Sequence, residues 1–218
     1  MNLNKIERKI ALIRIEKIVL GKLYTNCYVL FDEDTREGFI FDAPAHGEKI
    51  YEFAKSLGVN VKAVILTHGH FDHILGLSVL LEKSGAPLYM HKAEEKLINN
   101  PEFNLTAYFR AHLDEIKPNK TLSDGDVLRL GVNEIKIIHT PGHTIGGICA
   151  LCGNILISGD TLFSGSVGKI DHMTGDMDME IMSIKEKLMP LSDDVRVYPG
   201  HGEETTIGRE RKGNIFLL

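Results

Sequence analysis

Val61-Lys-Ala-Val-Ile-Leu66 runs without a break into Thr67-His-Gly-His-Phe-Asp-His73. The first segment is a short apolar run, the pattern of a strand buried on both faces. The second places four ligand-type side chains, His68, His70, Asp72 and His73, within six positions. Neutral imidazoles and carboxylates suit a borderline metal such as zinc. His68 and His70 are two apart, so on extended backbone they point the same way. Asp72 and His73 follow where the chain turns toward a helix predicted over Leu75 to Lys83. That turn would aim them at a neighbouring point, so one short loop can feed two adjacent metals. A single histidine after a strand is usually a surface or hydrogen-bonded residue; a cluster this dense calls for a metal.

Other apolar segments end in the same way. Ile135 to Ile138 precedes Thr140-Pro-Gly-His143, Ile155 to Ile157 precedes Ser158-Gly-Asp160, and Val195 to Val197 precedes Tyr198-Pro-Gly-His201. Phe39 to Asp42 ends, less distinctly, in Asp42-Ala-Pro-Ala-His46. Loops at strand ends on a rigid sheet are where sites are usually built. His143, Asp160 and His201 bring the candidate metal ligands to seven, and Asp160, the lone acidic candidate, suits a bridge between two ions.

Around these motifs the first third reads as an antiparallel meander, with strands over Ile10 to Leu20, Asn26 to Phe31 and Phe39 to Asp42. Glu48 to Leu57 has helical spacing and Gly58 is its stop. Pro87 to Met90 predicts a short strand and Ala93 to Leu97 a helical patch, while Phe103 to Phe109 shows no clear period. The second half repeats the outline. Strands are expected over Val127 to Leu130, Ile135 to Ile138, Ile148 to Leu151, Ile155 to Ser158 and Val195 to Tyr198, with a helix over Met179 to Leu188. A meander followed by strand and helix, twice over, predicts an α+β fold of two packed sheets with helices outside. The expectation is one domain over residues 1–218, its two similar halves meeting near 110–125.

The string His-x-His-x-Asp-His, Thr-Pro-Gly-His-Thr, Ser-Gly-Asp-Thr-Leu-Phe and Tyr-Pro-Gly-His-Gly resembles the metallo-β-lactamase superfamily, and within it the glyoxalase II-like branch. The resemblance runs from Asn26 to about Phe216. It implies an αββα sandwich of two mixed sheets. It also implies that His68, His70 and His143 bind one metal, that Asp72, His73 and His201 bind a second, and that Asp160 bridges them together with a water or hydroxide. Two divalent ions are the expected cofactors, zinc first, with iron or manganese as alternatives. Two cations lower the pKa of a bound water toward neutrality and give a hydroxide nucleophile. Asp72 is expected to orient it, which makes Asp72 the candidate catalytic residue.

The resemblance points to hydrolysis of a small thioester or ester, with S-2-hydroxyacyl glutathione as one candidate. Glyoxalase II enzymes carry a basic residue near the position of Lys169, which marks Lys169 as a candidate contact for a substrate carboxylate. Only Gly202 to Leu218 follow His201, where glyoxalase II proper has a helical segment with further glutathione contacts. Persulfide dioxygenases share most of these ligands but use one iron, and show a Gly-Arg-Thr-Asp-like stretch where this chain has Gly168-Lys-Ile-Asp171. A non-catalytic metal-binding protein on the same fold is the third reading, and the complete ligand set speaks against it. His139 is expected to support the site rather than to bind metal. His46 sits in a strand-end loop with no assigned role, and His91, His112 and His172 have no partners that the sequence names.

Composition narrows the classes further. The 218 residues carry a formal charge of −5, which gives no basic footprint for nucleic acid or an anionic membrane. Lys5, Arg8 and Lys9 precede an apolar run, but Arg14, Glu16 and Lys17 interrupt it and no small-residue cleavage site follows, so an edge strand is expected in place of a signal peptide. No apolar run is long enough to span a bilayer. Cys27, Cys149 and Cys152 are the only cysteines. Cys149 and Cys152 form a C-x-x-C inside an apolar strand, read as small buried residues and not as a metal or redox pair. The expected location is the cytoplasm, and the expected partner is a small molecule.

Overall fold

A computed structural model describes residues 12–170 and 174–218. The part of the first expected strand before residue 12, and His172, lie outside the described residues. One sheet holds β1 (Ile13–Leu20), β2 (Thr25–Asp32), β3 (Glu37–Phe41), β4 (Asn60–Ile65), β5 (Leu88–His91) and β6 (Lys120–Leu122), in that spatial order. The first three strands pair antiparallel, and β3 to β6 pair parallel. The parallel half needs crossovers, which α1 (Gly47–Ser56), α2 (Phe71–Ile74) and α3 (Leu77–Ser84) help to supply. Between β5 and β6 lie α4 (Glu95–Ile98) and α5 (Thr106–Phe109).

The second sheet begins after the turn at Ser123–Asp126, with β7 (Val127–Leu130), β8 (Asn133–His139), β9 (Ile148–Cys152) and β10 (Ile155–Gly159). A small hairpin, β11 (Leu162–Phe163) and β12 (Ser166–Val167), stands apart from it. The sheet is completed by β13 (Arg196–Pro199), parallel to β10, and β14 (Thr205–Thr206). The helix expected over Met179 to Leu188 starts earlier, as α6 (Met177–Ser183) behind its Asp176 cap, and widens into a π turn at Ile184–Leu188. A last helix, α7 (Ile207–Gly213), is capped by Thr206.

Side-chain alternation along the strands builds three apolar layers. On β2, Tyr28 and Leu30 face Ile137, Ile148 and Ile157 of the second sheet. Cys27, Val29 and Phe31 face the other way, onto Ile50 of α1 and Leu77 and Leu80 of α3. This explains why every residue of β2 is buried. Outside the second sheet, Cys149, Leu156 and Val197 pack on Ile184, Leu188 and Ile207. The order is helix, sheet, sheet, helix, with both sheets mixed. Cys149 and Cys152, three apart on β9, fall on opposite faces, and all three cysteines are free and buried.

The strands that carry the motifs end together. β3 runs parallel to β4, while β8 and β13 run in the same direction as β10. The two sheets are stitched at that end, where Ile148 N donates to the Thr67 carbonyl at 2.9 Å and Asn26 N to the Gly200 carbonyl at 2.7 Å.

Candidate metal centre

Two glycines let the strand ends close on one another. Gly159 has φ of +51°, and a Cβ there would lie 2.6 Å from the Thr67 side chain. A Cβ on Gly200 would lie 2.1 Å from Asp160 Oδ1 and 2.8 Å from the His73 ring. Both positions therefore require glycine if the loops are to meet.

What meets there is all seven candidate side chains. His68, His70 and His143 each bring one ligand atom to within 4.8 Å of the others, and so do Asp72, His73 and His201. Asp160 lies between the two groups. Its Oδ2 is 3.7 Å from His143 Nε2 and 3.5 Å from His201 Nε2, and its Oδ1 is 3.4 Å from His73 Nε2. His70 Nδ1 and His143 Nε2 are 2.9 Å apart, and His201 Nε2 is 3.1 Å from Asp72 Oδ2.

Four of the five rings, all but His70, have one nitrogen held by an acceptor. His143 Nδ1 donates to the Lys169 carbonyl at 3.0 Å, His201 Nδ1 to the Leu23 carbonyl at 3.0 Å, and His73 Nδ1 to Asp42 Oδ2 at 2.8 Å. Thr67 commits its hydroxyl proton to Asp42 Oδ2, so His68 Nδ1 donates to Thr67 Oγ1 at 3.1 Å. Such contacts fix the tautomer and turn the other nitrogen's lone pair toward the centre. His68 Nε2, His70 Nε2 and Asp160 Oδ1 are buried with no hydrogen-bond partner among the described residues. Buried polar atoms without partners are costly, and a metal ion is the natural partner for this donor set. The residues present thus fit divalent metal ions.

Charge divides the centre. Burial, reinforced by the neighbouring imidazoles, pushes His68 well below its ordinary pKa and His70 down to about 3, so these rings are neutral, as metal binding requires. Burial also opposes charge on His73, but Asp160, Asp72 and Asp42 overcome it and hold that ring well above its ordinary value. Asp160 is the converse: burial opposes its ionisation, yet His73, His68 and His143 keep it well below the carboxylate range.

Three buried carboxylates brace the loops, and the sequence does not assign roles to them. Asp42 accepts from Thr67 N at 2.7 Å as well as from Thr67 Oγ1 and His73. Its only sequence signal is that it ends a strand. Glu94 accepts from Gly69 N and Gly146 N, both at 2.9 Å, and from Thr144 Oγ1 at 2.5 Å. It ties the His68–His70 turn to the His143 loop, and burial pushes its carboxyl up to about 7. Glu180 accepts from His143 N at 2.7 Å, and burial pushes it up to about 8. Thr25, which donates to Asp72 Oδ2 at 3.0 Å, also went without a signal.

Of the other candidates, Lys169 meets the site through its carbonyl, while its side chain is exposed. His139 stacks on His91 with centroids 3.9 Å apart and donates from Nε2 to the Ile145 carbonyl, so it stiffens the loop before His143. His112 is exposed. His46, at φ of +73°, caps α1 and lines a cleft beside Asp72.

A family model described as the metallo-beta-lactamase superfamily matches residues 20–201, which include every one of these side chains. The chain belongs to the metallo-β-lactamase superfamily. The probable metallo-hydrolase YqgX of Bacillus subtilis is 34% identical to it, over 92% of this chain and 96% of its own length. Hydroxyacylglutathione hydrolase GloC of Haemophilus influenzae is 32% identical, over 93% and 97% of the two chains. Among solved structures, TTHA1623 in a di-iron-bound form superimposes with a TM-score of 0.82 at 31% identity, covering 93% of this chain and 100% of that one. Superfamily and relatives make the chain a metallo-hydrolase by kinship, with His and Asp groups suited to divalent metals. No helix among the described residues is long and apolar enough to cross a membrane.

Proposed function

We propose that the chain hydrolyses a small thioester or ester, with S-2-hydroxyacyl glutathione as the first compound to test. The observation that carries this reading is the convergence of five imidazoles and two carboxylates on one point, with buried atoms of His68, His70 and Asp160 left without a partner among the described residues and the rings of His68, His73, His143 and His201 each held from behind by an acceptor. In this proposal His68, His70, His143 and Asp160 would hold one divalent ion and Asp72, His73, His201 and Asp160 a second; zinc is placed before iron or manganese. When bound, such a pair supplies a water of lowered pKa and a Lewis acid for the carbonyl oxygen.

The chain's own residues orient the reaction. Asp72 Oδ2 is fixed by the Thr25 hydroxyl, which leaves Oδ1 to hold a proton of the attacking water and aim its lone pair. Lys169, exposed beside the His143 loop, takes a carboxylate on the thiol half. Water oxygen adds to the acyl carbon, the C–S bond breaks, and the products are a carboxylate, a thiol and one released proton. The same reading places the protein in the cytoplasm, acting on a small molecule and not on nucleic acid or a membrane. The three free, buried cysteines and the charge of −5 support it.

Assay of protein purified without chelator should show thiol release from the glutathione thioester. Absence of turnover on every thioester by fully metallated protein would overturn the proposal in favour of a lactone or phosphodiester. Oxygen consumption with a persulfide, by protein holding one iron, would favour the dioxygenase reading.

A further inference from the structure

A cleft of about 730 Å3 opens beside the second group of side chains, with Asp72 in its wall. That volume lies within the range of about 300–1,000 Å3 usual for small-molecule sites. Leu23, Phe71, Leu75 and Phe109 give it apolar walls. Phe109 lies flat against Phe71, with centroids 4.2 Å apart and 19° between planes, and keeps 54% of its surface exposed. Lys22 and Arg110 also line the cleft; both are exposed, and neither forms an ion pair among the described residues.

The cleft is preformed. Phe71 N donates to the Asn104 carbonyl at 2.8 Å. Asn104, buried, donates to the Ile98 carbonyl at 2.7 Å and accepts from Thr106 N and Oγ1 at 3.0 and 2.7 Å. Residues in the left-handed region gather here: Tyr24 at φ of 56°, His46 at 73°, Leu105 at 70° and Arg110 at 51°. Of these, His46 and Arg110 stand in the lining itself. Such conformations persist only where the surroundings enforce them, a habit of ligand clamps. Lys169, by contrast, meets the centre at His143, in the first group. The cleft thus meets the centre at Asp72, on the side of the second group.

We propose that the cleft selects the acyl half of the substrate, and that this half is an alkyl or aryl group ending in an anion, a carboxylate or a phosphate. Apolar walls exclude water from such a chain, and the exposed cations Lys22 and Arg110 suit its terminus. A 2-hydroxyacyl group as small as lactate would leave most of the space empty. The inference rests on the hydrolase reading for the bond that is cleaved, though not for binding.

Calorimetric titration of the metal-loaded protein with 4-phenylbutyrate, 3-phenylpropyl phosphate and neutral 4-phenylbutanol tests it. Phe109→Ala should weaken all three by about tenfold. Lys22→Ala and Arg110→Ala should each weaken the two anions by roughly two- to fivefold and leave the alcohol unchanged. The anion that the parent binds more tightly identifies the terminus. Parental affinities in all three variants, or equal losses for anions and alcohol, would overturn the proposal. Because binding is read without turnover, a protein that binds these probes but cleaves no thioester overturns the hydrolase reading alone. One that cleaves a thioester while its binding ignores these residues overturns the acyl-cleft proposal alone.

Discussion

The loop from His68 to His73 and the three loops carrying His143, Asp160 and His201 reach the same centre by opposite means. The first delivers four side chains in six positions, through an extended segment and the short helix α2. It is held from beneath by buried carboxylates: Asp42 takes Thr67 and His73, and Glu94 takes Gly69. Each of the other loops delivers one side chain from a strand end. Their histidine rings are held by main-chain carbonyls, those of Lys169 and Leu23, while carboxylates reach only the backbone and Thr144 of the His143 loop. A carbonyl survives substitution of its own side chain, whereas a carboxylate does not. The dense loop is therefore the more fragile of the two designs, and substitutions beneath it should do more damage than substitutions at the single-ligand loops.

Asp42→Ala should have the largest effect. It leaves Thr67 N, the Thr67 hydroxyl and His73 Nδ1 without their acceptor in a buried site. Removing one partner of a buried charged pair costs about 3–5 kcal/mol. A much lower melting temperature and loss of bound metal are expected; a variant that melts and binds metal like the parent would break the comparison.

Asp72→Ala comes next, and acts on turnover. Its carboxylate lies at the rim of the dense loop, so the fold should survive. The drop in kcat should exceed roughly a hundredfold, the scale for a positioned catalytic group, with a smaller change in KM. Near-normal turnover at full metal loading would refute the assigned role.

Glu94→Gln should cost about 1–3 kcal/mol, since an amide cannot accept from all three donors. It also carries a pH signature. Burial raises the Glu94 carboxyl from 4.5 to about 7, so the folded protein binds its proton more tightly than the unfolded chain. Stability from this group is fully present below about pH 4.5 and is lost as pH rises through about 7. The parent's advantage over Glu94→Gln should therefore shrink between pH 5 and pH 8. Melting curves for both proteins at the two pH values read this directly, and a constant difference would show that Glu94 does not titrate in that window.

Lys169→Ala should be mildest. The carbonyl that holds His143 remains, so metal content should not change. KM for a carboxylated thiol substrate should rise by roughly two- to fivefold, the worth of one exposed ion pair, while a neutral ester is unaffected. Equal changes for both compounds would show that Lys169 does not read the carboxylate.

The same contrast explains what could be read from the sequence. The dense loop announces itself because its ligand types are consecutive and follow an apolar strand. His143, Asp160 and His201 are legible through a repeated context, a strand followed by a glycine-containing turn. Glu94 is not legible, because its partners Gly69, Thr144 and Gly146 are distant in sequence and only the assembled loops define its role. Asp42 shows as a strand end and nothing more. Strands as short as β6, β11, β12 and β14 are below the length at which alternation can be recognised, and α7 offers a polar sequence whose helix is set by the Thr206 cap. The Phe103–Phe109 stretch hid α5, whose ends lie beside left-handed Leu105 and Arg110, a conformation that no periodicity predicts.

In the proposed centre, the dense loop and the three single-ligand loops would divide two ions around Asp160. Anomalous diffraction at the metal absorption edges, on crystals of protein purified without chelator, tests it most directly. Two peaks per chain are predicted, one against His68, His70 and His143, the other against Asp72, His73 and His201, with Asp160 touching both. One fully occupied peak, with Asp72 and His73 turned away from it, would contradict the account.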